Sequence, residues 1–98
     1  MSNNLTPLQV CERLLGPLPQ IEAVCGQKPK AAYCWRRPSA YRAAGDIPST
    51  RHMRSLLAHS AARGLGLTEA HLIWGASAAE IDSILATRRV VEPPIAAE

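Results

Sequence analysis

The sequence predicts an all-α fold, a compact bundle of five to six short helices. Three observations carry that expectation. Phe is absent and Ala and Leu supply most of the apolar content, which suits small, closely packed helices better than a sheet. Apolar residues recur three and four apart in several stretches, the spacing of one helix face. Pro, Gly and the cap residues Ser and Thr fall where those stretches begin and end. At 98 residues the chain makes one domain with a single modest core.

Thr6-Pro7 pairs a cap with a first-turn proline and opens a helix to about Leu15, with Leu8, Cys11, Leu14 and Leu15 as its apolar stripe. Gly16-Pro17 stops it. Pro19 opens a second helix ending near Cys25, with Ile21, Val24 and Cys25 inward. Gly26 then supplies a left-handed residue for a sharp reversal. A third helix is expected from about Pro29, ending before Pro38 because the residue preceding a proline avoids the helical region. Two short helices separated by a Gly-containing turn of three or four residues form a helix-turn-helix. Ser39 to Asp46 reads as a loop carrying Tyr41 and Arg42, and Ile47 plugs the core. Pro48-Ser49-Thr50 starts the longest helix, with Met53, Leu56, Leu57 and Ala61 inward and Gly64 as its left-handed cap. Thr68 caps the next helix, stapled through Leu67 and Leu72. Ser77-Ala78-Ala79-Glu80 matches a capping box and opens a last helix with Ile81, Ile84 and Leu85 on one side. The helical domain is expected over residues 1–86. Residues 87–98, with two prolines, read as a tail.

The net charge of +3 is unevenly distributed. From Gln27 to Arg63, Lys28, Lys30, Arg36, Arg37, Arg42, Arg51, Arg54 and Arg63 face one acid, Asp46, a net +7. The segments on either side are mildly acidic. A cationic middle of this kind points to a polyanionic partner. Three cysteines, Cys11, Cys25 and Cys34, have no metal-ligand spacing, which fits a reduced cytoplasmic setting, with Cys11 and Cys25 as buried small hydrophobes. No apolar run reaches the roughly 18 residues of a membrane span. Met1-Ser2-Asn3-Asn4 lacks a signal-peptide pattern.

The third helix concentrates the functional expectation. At 3.6 residues per turn, Lys30, Tyr33, Cys34 and Arg37 share one side, and Ala31, Ala32 and Trp35 the other. An apolar anchor on one face with cations and a phenol on the other is the construction of a helix that enters the DNA major groove.

These stretches together resemble the small Cro-like helix-turn-helix regulators of phages and prophages, which belong with the lambda repressor fold. Ile21, Cys25, Gly26, Ala32 and Trp35 stand at positions where that family has apolar residues and a glycine. Pro29 to Arg37 is similar to its Ser-Pro-x-x-Val-x-x-Trp-Arg pattern. Gly45-Asp46-Ile47-Pro48 matches its Ile-Pro element, and Leu67-Thr68-Glu69 with Leu72 its closing Leu-Thr-x-x-x-Leu element. Glu22, Gln27 and Lys28 depart from the family, which usually has Ala, an aliphatic residue and a Ser or Thr cap there. The resemblance implies a sequence-specific transcription regulator that binds a two-fold related DNA operator as a homodimer, in the nucleoid. It implies base reading by Lys28, Lys30 and Tyr33, with Cys34 at the groove edge. It implies phosphate contacts from Gln20, Gln27, Arg36, Arg37 and Arg42.

No enzyme is expected, and no cofactor or metal. His52 and His59 share a helix face but sit about 10 Å apart along the axis, and neither they nor His71 has a ligand set at hand. The alternative function is a protein-interaction adaptor, for example one contacting the transcription machinery. Trp74 with Ile81, Ile84 and Leu85 is expected to complete the core or the homodimer seam.

Overall fold

The structure, a computed structural model, describes residues 4–40 and 42–91, the last three by their backbone alone. Helix α1 spans Pro7–Leu14, α2 Leu18–Val24, a 3-10 helix Ala31–Arg36, α3 Thr50–Arg63, α4 Glu69–Trp74 and α5 Ala78–Val91. Short strands β1 (Asn4–Leu5) and β2 (Ala76–Ser77) pair antiparallel, Asn4 opposite Ser77 and Leu5 opposite Ala76. The small helical bundle expected from composition and spacing is therefore present, with one two-residue strand pair added. Two residues are too few to show an alternating pattern, which is why the strands were not foreseen. Among the described residues no helix is long and apolar enough to cross a membrane.

The helix starts are built by their caps. The Thr6 hydroxyl accepts from the Gln9 N–H and the Gln9 side chain accepts from the Thr6 N–H, a reciprocal box. Ser49 caps α3 through the His52 N–H, and Ser77 receives the Glu80 N–H in α5. At α4 the partner of Thr68 is His71, buried, whose Nδ1 accepts from the Thr68 N–H at 3.1 Å. That bond leaves the ring proton on Nε2, which faces Glu80 at 2.8 Å.

Leu8, Val10, Cys11, Leu14, Ile21, Leu56, Leu72 and Ile81 form the centre of one core, and Ala32, Trp35 and Ile47 belong to it. Ile81 is fully buried, and Ile84 and Leu85, partly buried, pack against the same core, so all three contribute to the domain's interior. Ala61 is exposed, and Ser60 takes the inner position expected of it. The stripe Met53, Leu56, Leu57, Ser60 keeps i, i+3, i+4, i+7, and the buried Ser60 hydroxyl accepts the Leu67 N–H at 3.0 Å. Helix α5 runs to Val91, four residues beyond the expected start of a tail at 87. The Arg88 guanidinium fixes it there by donating to the carbonyls of Leu14 and Leu65, both at 3.2 Å. Tyr41 and the remaining tail, 92–98, lie outside the described residues.

Gly75 closes α4 with φ 74° and ψ −155°, a conformation in effect reserved for glycine. Any Cβ there would strike the Leu5 carbonyl, so this residue lets β1 approach β2.

Candidate nucleic-acid interface

Helix α2 ends in a double backbone cap. The Gly26 N–H bonds the Ala23 carbonyl at 3.1 Å, and the Gln27 N–H bonds the Glu22 carbonyl at 2.8 Å, with Gly26 left-handed at φ 70°. The chain then runs through Lys28 and Pro29 to Lys30, which is also left-handed (φ 72°), and turns into the 3-10 helix at Ala31. The connection from Val24 to Ala31 is longer than the expected three or four residues, because the helix starts about two residues later than expected.

That helix is also not an α-helix. It is bounded by the left-handed Lys30 and by Arg37, which is extended ahead of Pro38. Within so short a span, three residues per turn bring Ala32 and Trp35 into one column, and both are buried. Tyr33 and Arg36 form a second column, the Arg36 guanidinium carbon 5.5 Å from the phenol ring centroid. Ala31 and Cys34 form the third, the Cys34 thiol reaching the Ala31 carbonyl at 3.3 Å. The expected division of faces thus survives for Ala32, Trp35, Tyr33 and Cys34. Ala31, expected on the inner face, is half-buried.

Glu22 explains how the 3-10 helix starts with no local cap. Its carboxylate, only 3% exposed, accepts the Lys30 N–H at 3.1 Å and the Ala32 N–H at 2.8 Å. Lys30 supplies no side-chain cap to the 3-10 helix, and Glu22 of the preceding helix supplies the acceptors instead. Sequence reasoning missed this role, although an acid standing where the resemblance leads one to expect Ala was the available signal.

The sites assigned from sequence separate into two groups. Lys28, Lys30, Tyr33, Cys34, Arg37 and Gln20 are exposed, and among the described residues Lys28, Lys30 and Arg37 form no ion pair. Gln27 is half-buried. Arg36 and Arg42, expected on phosphates, are engaged within the protein. Arg36 Nη2 lies 2.7 Å from the Glu12 carboxylate, which holds its already high pKa higher still. Arg42 gathers the carbonyls of Cys34, Trp35 and Arg37 at 3.1–3.3 Å, closing the C-terminal end of the 3-10 helix. Gly45 ties the same end to α1: its N–H bonds the Trp35 carbonyl at 2.7 Å and its carbonyl accepts the Leu8 N–H at 2.8 Å. A Cβ at Gly45 would collide with the Thr6 side chain.

Beneath the segment, the His52 ring stacks on Trp35 with centroids 5.4 Å apart. Arg51 and Arg54, on the same turn of α3 as His52, are exposed. The three thiols differ sharply. Burial pushes Cys11 up to about 12, with smaller contributions from Cys25 and Glu12, and burial pushes Cys25 up to about 11, so both stay protonated at neutral pH. Cys25 is only half-buried, less than expected, and Cys34 is on the surface.

Comparison of the chain with known protein families, curated proteins and solved structures returns no match.

Proposed function

We propose that the protein is a sequence-specific DNA-binding regulator of phage or prophage type, acting as a homodimer on a two-fold related operator. In this reading α2, the turn and the 3-10 helix form a helix-turn-helix whose second member is unusually tight. The observation that carries it is the split of one short segment: Ala32 and Trp35 anchored in the core, Lys28, Lys30, Tyr33 and Arg37 in water. Unpaired cations held on a rigid scaffold suit a polyanion, because they release counterions on contact without first breaking internal ion pairs.

Lys28 and Lys30 donate to the acceptor edge of guanine, and Tyr33 packs on a thymine methyl or donates to a phosphate, with Cys34 at the groove edge. Arg37 and Gln20 hold phosphates and set register. Arg36 joins them only by leaving Glu12, and Arg42 serves the scaffold instead. The experiment is fluorescence anisotropy with duplexes from the DNA flanking the gene, across about 50 to 200 mM salt. Affinity should fall about a thousandfold over that range if ~6 phosphates are contacted. Lys30→Ala should cost about 1–3 kcal/mol at one base position and flatten sequence preference, whereas Arg37→Ala should weaken all duplexes alike. Salt-independent binding, or no retained duplex, would remove the regulator reading and favour the protein-interaction adaptor.

A further inference from the structure

The Arg36–Glu12 ion pair lines a cleft of about 270 Å³ between α1, the 3-10 helix and the turn that precedes α3. Thr6, Gln9, Glu12 and Arg36 are its polar lining, and Leu8 and Ala44 its apolar one. Gly45 lines it too and ties the two sides together, through the Leu8 N–H on α1 and the Trp35 carbonyl on the 3-10 helix. Backbone bonds on both sides make the cleft a feature of the fold. Its volume falls just below the roughly 300–1,000 Å³ of sites for drug-sized molecules, so its occupant is smaller.

The ion pair is made by a single bond, Arg36 Nη2 to Glu12 Oε2 at 2.7 Å. Among the described residues Glu12 Oε1 receives no donor, and Arg36 Nε and Nη1 reach no acceptor. The Gln9 amide oxygen is taken by the Thr6 N–H, while its nitrogen reaches no acceptor among the same residues. The cleft is therefore left with a carboxylate oxygen open to a donor and with guanidinium and amide N–H groups open to an acceptor. A simple anion suits Arg36 but meets Glu12, and a simple cation suits Glu12 but meets Arg36. Two opposite charges in direct contact are matched by a molecule that carries the same two charges in reverse order on neighbouring atoms. An ammonium and a carboxylate on one carbon meet that requirement. We propose that the cleft binds a small α-amino acid. Its ammonium lies against Glu12, whose side chain is only 25% exposed and so holds its charge partly out of water. Its carboxylate accepts from Arg36, which offers the paired N–H geometry carboxylates favour, and from the Gln9 amide. Leu8 and Ala44 take a short apolar side chain.

The ligand site stands apart from the DNA reading, and its test uses the full chain without DNA. Neither Trp35 nor Trp74, the latter 76% exposed, lines the cleft, so binding is followed by NMR rather than by tryptophan emission. Alanine, serine and valine are titrated into isotope-labelled protein at constant ionic strength. At least one should give saturable shifts at the Gly45 amide, the Gln9 side-chain amide and Arg36 Nε–H, with a Kd of about 1 mM or tighter. Propionate and ethylamine, each carrying one of the two charges, should bind at least about tenfold more weakly, the loss of one charge-assisted contact. Glu12→Gln and Arg36→Gln, at surface positions, should keep native circular dichroism and each weaken binding of the amino acid by about the same factor. Absence of saturable shifts for all three amino acids overturns the proposal. So does propionate or ethylamine binding as well as the amino acid, or an affinity that neither variant changes. Each of these results leaves the salt-dependent DNA test untouched.

Discussion

The two carboxylate oxygens of Glu22 hold the N–H groups of Lys30, part-buried, and Ala32, buried, and they do so from a different helix. A left-handed lysine costs about 1–2 kcal/mol because its Cβ crowds the following carbonyl. The bond to Glu22 offsets that cost and fixes the direction in which the lysine leaves the backbone. Glu22→Ala, which introduces the residue usual in the family the sequence resembles, would leave both N–H groups without an acceptor. The expected loss is about 2–4 kcal/mol in urea unfolding, from one buried and one part-buried donor at roughly 1–3 kcal/mol each. Faster amide exchange confined first to Lys30 and Ala32 would identify the cause. An unchanged midpoint would mean that water replaces the carboxylate, and that the cap is not what sets the turn.

At the level of elements, the basic segment was legible as a helix with a buried Ala-and-Trp side, because Ala32 and Trp35 are three apart and lie together at either helical period. The period itself was not legible. It depends on the Glu22 cap, on the left-handed Lys30 and on the Arg42 guanidinium that gathers three carbonyls, all contacts between residues 5 to 10 positions apart. Spacing along the chain cannot report such contacts, and the charge count likewise could not show that Arg42 is engaged. The caps at Thr6, Ser49, Thr68 and Ser77 were readable because each acts on a residue three positions away. Arg36 sits between these cases, exposed yet drawn to Glu12 of α1. An exposed ion pair contributes little to stability, but here it competes with phosphate. Glu12→Gln should leave the thermal midpoint nearly unchanged, raise DNA affinity several-fold at low salt and steepen the salt slope by about one unit. An unaltered slope in the same titration would show that Arg36 never reaches the nucleic acid.

On the scale of the whole molecule, the segment that carries the exposed cations is not an appendage. Trp35 and Ala32 share one core with Leu56 of α3 and Ile81 of α5, so loosening the far side of the bundle loosens their seat. Arg88 is the clearest handle on that coupling. Its guanidinium, part-buried, joins the end of α1 to the loop before α4 by bonds to residues 74 and 23 positions away. Arg88→Met keeps much of the apolar stem but leaves two partly buried carbonyls without a donor, at an expected cost of about 1–3 kcal/mol. For a domain of this size each kcal/mol moves the thermal midpoint by about 4–8 °C. If the bundle unfolds as one unit, the urea midpoint should drop with its slope unchanged, and far-UV circular dichroism and Trp35 fluorescence should report the same transition in a Trp74→Phe background. At low temperature, where the variant is still folded, DNA affinity should equal that of the parent, since Arg88 lies on none of the elements that present the cations. A split transition, with helix lost before the Trp35 signal, would instead make α5 a separable element and confine the seat of the 3-10 helix to α1, α2 and α3.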